Sequence, residues 1–93
     1  MSTNRLKLAR NKIDLLDKRI LDLVKKRTQI VKYMLSLKKN KKDIVDHKRI
    51  NIILKNIKKK SIQKKIDPKI TGKIWKSMIW AYVKHQRKNF KKK

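Results

Sequence analysis

Arg27 stands where an otherwise apolar repeat calls for a hydrophobic side chain. Eleven residues later, at ~100° of helical turn per residue, Lys38 returns to within about 20° of the same face, so two cations look into one space. Arg10 points about 100° away from Arg27 by the same count, as a residue serving another chain would. Such a pair suits an anion; an arginine that snorkels, or a polar residue that fixes register, is the alternative for Arg27. Other chemistry is poorly supplied. His47 and His85 fall on different predicted helices, and with no glutamate and no cysteine a metal site would need scattered aspartates, so no metal and no cofactor is expected. Ser77 and His85 are about two turns apart on one helix with no aspartate near them in sequence, and make no triad. An enzyme built from these residues works with Arg, Lys and neutral amides, by charge stabilisation and positioning without a covalent or acid–base step. Pericyclic rearrangements and eliminations of dianionic substrates are reactions of that type.

The composition bounds what can carry such a site. The 93 residues include 31 Lys+Arg against 6 Asp+Glu, a net charge of +25, with 39% apolar residues, one Gly, one Pro and no Cys. A chain of this length reads as a single domain over residues 1–93 with too little interior for a large private core, so self-association is expected. One Gly and one Pro cannot build a turn-rich β fold or a Gly-rich phosphate loop. Without cysteine there is no disulfide framework, and a reducing cytoplasm fits. The longest apolar run, Met78 to Val83, is six residues, far below the ~20 of a membrane span, and the N-terminus has no apolar signal-like region. The charge is the footprint of a nucleic-acid binder, but it is spread along the chain instead of gathered on one face, which argues against nucleic acid as the partner.

The elements that position the cations follow from periodicity. No Gly or Pro interrupts Thr3 to Lys39, and Leu6, Ala9, Ile13, Leu16, Ile20 and Leu23 recur at alternating spacings of 3 and 4, resuming at Ile30, Met34 and Leu37. This predicts one helix of roughly 50 Å, more than a compact monomer of this size can cover, and hence a partner helix, most simply its own copy. A polar break spans Asn40 to Asp43, and Asp46 is placed to cap a second helix through about Lys60, with Ile50, Ile53, Leu54 and Ile57 on its apolar face. Ser61 to Ile66 reads as a connection. Asp67-Pro68 starts a third helix to about Phe90, with Ile70, Ile74, Trp75, Met78, Ile79 and Tyr82 at helical spacing and a frayed Lys91–Lys93 tail.

With these elements in order, Leu8-Ala9-Arg10, Ile13-Asp14-Leu15-Leu16-Asp17, Lys26-Arg27, Lys38, Val45-Asp46-x-x-Arg49, Asp67-Pro68, Trp75 and Gln86 together resemble the small all-helical chorismate mutases. The likeness runs from about Leu6 to Gln86 and lies in the ordered set, since no single motif is specific. It implies an all-α, three-helix chain intertwined as a homodimer, with two shared active sites acting on a dianionic small molecule in aromatic amino-acid biosynthesis. Carried over residue by residue, Arg27 and Arg10 of the partner subunit hold the substrate carboxylates. Lys38 binds a carboxylate and the ether oxygen of the breaking bond, and Gln86 donates to that oxygen. Arg49 supports the carboxylate side, and Asp46 starts helix two and places its backbone near the ring hydroxyl.

Two positions depart from the pattern. Ile50 stands where the mutases usually carry the glutamate that accepts from the ring hydroxyl, and Tyr82 stands where they often carry a small hydroxyl residue. Both changes resemble the isochorismate-pyruvate lyases, which share the fold and use similar cations on an isomeric substrate. Ile50 also fits the apolar face of helix two in a mutase that manages without the glutamate. The mutase is the expectation, with the lyase as the alternative and a basic nucleic-acid-binding dimer behind both.

Overall fold

The structure, a computed structural model, describes residues 2–91. Among these the chain is all-α, with three helices and no strand: α1 (Ser2–Leu37), a 3-10 turn (Lys41–Ile44), α2 (His47–Gln63) and α3 (Pro68–Asn89). Of the expected C-terminal tail, Lys91 follows the helix end and Lys92 and Lys93 lie outside the described residues. Contacts divide the chain into two compact units, Met1–Tyr33 and Met34–Lys93.

The first unit is α1 as far as Tyr33. Its apolar repeat forms the expected helix, yet Leu6, Ile13, Leu16, Ile20, Leu23 and Ile30 are each half or more exposed. Full burial of one Leu or Ile side chain is worth about 1.5–3 kcal/mol. An open stripe of six therefore carries a large driving force for association. Thr28, in the same helix, donates its hydroxyl to the Val24 carbonyl at 2.7 Å, which satisfies a polar group without breaking the helix.

The second unit is a helical hairpin joined to the last turn of α1 by the 3-10 turn. The start of α2 is set by Asp46, whose carboxylate accepts from the Arg49 amide at 3.0 Å while its carbonyl accepts from the Ile50 amide at 2.9 Å. The start of α3 is set by Asp67, which accepts from the Lys69 amide at 2.9 Å, followed by Pro68 where a missing N–H is harmless. Ile50, Ile53, Leu54 and Ile57 turn a half-buried face to α3, which also packs against the 3-10 turn. The core is small: Ile44 from the turn, with Ile79 and Val83 from α3, are buried. Ile70 and Ile74, expected on the apolar face of α3, are 58% and 52% exposed, because that face rotates onto Ile79 and Val83.

Two helix ends differ from the sequence expectation. α1 stops at Leu37, where the Lys38 amide turns back to the Leu35 carbonyl at 3.1 Å in a tightened last turn, so Lys38 lies beyond the helix. Conversely, α2 runs through Ser61 to Gln63. The buried Ser61 hydroxyl donates to the Ile57 carbonyl at 2.6 Å and pairs with the Thr71 hydroxyl at 2.7 Å, pinning the end of α2 to the start of α3. The Ile66 amide then reaches the Ser61 carbonyl at 2.9 Å and the Lys65 amide the Ile62 carbonyl at 3.1 Å. That is a Schellman ending with Lys65 at φ 59° in the left-handed position usually held by glycine.

Candidate active site

In the second unit the fold brings Lys38 to Gln86. The Lys38 Nζ donates to the Gln86 Oε1 at 2.8 Å across 48 positions of sequence. Gln86 is only 7% exposed and continues the buried stripe of α3, at i+3 from Val83 and i+7 from Ile79. A carboxamide at the end of an apolar stripe needs a polar partner, and Lys38 is that partner. With its oxygen engaged, Gln86 is oriented with its amide N–H group, which can only donate, on the other side of the carboxamide.

Burial lowers the Lys38 pKa from the ordinary lysine value of 10.5, and the carboxylates of Asp43 and Asp46 oppose that shift. Asp43 belongs to the 3-10 turn and Asp46 caps α2, so the segment between α1 and α2 supplies both counter-charges. The sequence places Asp43 in the polar break without showing this role, because the turn that presents it has no Gly or Pro to mark it.

The other candidates divide between the units. Arg49 is exposed and Ile50 half-buried in the first turn of α2, beside the exposed Asp46 cap. Tyr82 is half-buried on α3, four residues before Gln86 and so on the same side of that helix. Arg10, exposed, and Arg27, half-buried, belong to the first unit. The helical count that put Lys38 on the face of Arg27 does not apply, since Lys38 has left the helix. Near the same end of α2, His47 and Trp80 form a tilted ring pair, with centroids 6.5 Å apart and planes at 55°. Among the described residues no group of three or more His, Cys, Asp or Glu gathers for a metal, and no helix is long and apolar enough to cross a membrane.

A family model described as chorismate mutase type II matches residues 9–87. The chain belongs to the chorismate mutase type II family. No curated protein and no solved structure matches it. The matched span of this chorismate mutase-family chain encloses every candidate from Arg10 to Gln86. It also includes Ile50 and Tyr82, the two positions at odds with the usual mutase pattern.

Proposed function

We propose that this chain is a cytoplasmic chorismate mutase, converting chorismate to prephenate, and that residues 1–93 form one domain that works as a homodimer. The observation that carries the reading is the hydrogen bond from Lys38 Nζ to Gln86 Oε1 within a chain of this family. The open apolar stripe of α1 supports the second copy, because a stripe of that extent is covered most simply by its own counterpart.

In this reading Arg27 and Arg10 of the partner subunit hold the two carboxylates of chorismate. Lys38 has three N–H donors; one orients Gln86, and the others serve a carboxylate and the ether oxygen. Gln86 gives its amide N–H to the same ether oxygen. Arg49 supports the carboxylate side, and the backbone at Asp46 meets the ring hydroxyl. In one step the ether C–O bond breaks and a C–C bond forms within the same molecule. No proton is exchanged with the protein, so the side chains need only select the folded conformer and stabilise the charge that grows on the departing oxygen.

A second reading is favoured by Ile50 and Tyr82: a lyase in which the corresponding C–O bond of isochorismate breaks as a ring hydrogen passes to the enolpyruvyl methylene carbon, releasing pyruvate and leaving the ring as salicylate. Purified protein given chorismate and isochorismate separately, with prephenate and pyruvate followed, tests both. Prephenate from chorismate is the expected result. Pyruvate from isochorismate alone transfers the assignment to the lyase, and turnover of neither removes both.

A further inference from the structure

The one glycine of the chain sits in the second turn of α3, and the fold gives it no task. Glycine weakens a helix interior relative to alanine. Gly72 has no positive φ that would require it, and a Cβ built there meets nothing within 4 Å. What lies above it is a groove of about 650 Å³ between α2 and α3. Half-buried Leu54 and Gly72 form its floor, and exposed Lys55 and Lys58 from α2 face Lys69 and Lys76 from α3 along its rim. None of the six aspartates of the chain lines it, and Asp67, the nearest in sequence, has its carboxylate on the Lys69 amide. None of the residues assigned above to chorismate lines it either.

We propose that this groove binds a small organic anion with a flat apolar body and at least two negative groups. The volume falls in the range of small-ligand sites, roughly 300–1,000 Å³. The missing side chain at Gly72 leaves the depth for a ring, and aliphatic lysine stems on both walls extend the apolar contact while their ammonium groups reach anionic substituents on either edge. The generally basic surface alone does not supply this. A neighbouring hollow of about 590 Å³, lined by Lys69, Ile70, Lys73, Ile74 and Ser77, has lysines too but draws on α3 only and has no second wall. The proposal does not depend on the reaction at Lys38 and Gln86.

The test is a ¹H–¹⁵N NMR titration of the full chain with naphthalene-1,5-disulfonate, alongside inorganic pyrophosphate as charge without an apolar body. Saturable shifts at the amides of Gly72, Leu54 and Lys55 are expected, with pyrophosphate at least ~10-fold weaker there. Gly72→Leu fills the floor and Lys58→Gln/Lys76→Gln removes one cation from each wall; each is expected to weaken disulfonate binding ~10-fold or more. The lysine pair keeps the test intact should the leucine disturb folding. Three results overturn the proposal. Shifts spread equally over Lys73, Ser77 and α1, and unchanged in both variants, would mean general attraction to a basic chain. Shifts confined to Lys38 and Gln86 would place the probe in the candidate active site. Loss of the dimer in Gly72→Leu would mean that a second copy of the chain fills the groove.

Discussion

Lys38 and Gln86 are a cation and a carboxamide held at 2.8 Å, each solving a problem for the other. Gln86, at the end of a buried stripe, gains the donor that its oxygen requires. Lys38, partly withdrawn from water, gains an acceptor that does not neutralise it. The result is a partly buried positive charge held in place by a neutral neighbour.

The pH dependence follows from the direction of the Lys38 shift. Burial lowers its pKa, so the ammonium is lost at a lower pH than in an ordinary lysine. Turnover of chorismate should be level through neutral pH and fall on the alkaline side before 10.5, as Lys38 deprotonates. Stability from this group moves the other way. Between the folded and unfolded pKa values the unfolded chain binds more protons, so stability rises with pH across that window. Rate profiles and thermal melts recorded over the same alkaline range should diverge, and a Lys38→Met variant should lose that component of the melt.

Much of the fold was legible because its signals are local. Asp46 and Asp67-Pro68 announce the starts of α2 and α3, and the alternating 3 and 4 spacing announces α1. The ends were harder to read. α1 stops at Leu37 with neither Gly nor Pro to mark it, and α2 continues through Ser61, a residue common in connections, because tertiary contact with Thr71 and a bond to Ile57 satisfy its hydroxyl. The same limit affects the site. Gln86 carries a signal, a polar residue in an apolar stripe, whereas its partner Lys38 lies past a helix end that helical counting overran. Counting along α1 singles out Lys38 from among 25 lysines by extending the helix one residue too far, and the family resemblance selects it independently of that count.

Lys65 offers a test of the least legible boundary. It closes α2 at φ 59°, where a side chain is strained and glycine is not. Lys65→Gly should raise stability by about 0.5–1 kcal/mol, read as a higher denaturation midpoint with an unchanged slope. A lower midpoint would mean that the lysine side chain stabilises the connection.

Ile50 tests the choice of substrate. Ile50→Glu introduces a carboxylate at the half-buried start of α2. If this position faces the ring hydroxyl, chorismate turnover should improve relative to isochorismate. Equal loss on both, with a fall in stability of about 1–3 kcal/mol, would mark Ile50 as core that cannot accept a charge.

Shared sites predict complementation. Arg10→Ala and Arg27→Ala homodimers should each be nearly inactive. Refolded as an equal mixture, about half the dimers are mixed and each mixed dimer has one intact site of two, so roughly a quarter of wild-type activity should return. No recovery from confirmed dimers would put Arg10 and Arg27 in the same site of one chain.

The most direct measurement is kcat/KM for chorismate in the wild-type chain and in Lys38→Met, prepared side by side and compared by melting and sedimentation. Removal of one preorganised charge from the departing oxygen should lower kcat/KM at least ~10²-fold, with helicity and association state unchanged. Prephenate formed at the same rate by both proteins would contradict a site built on Lys38 and Gln86.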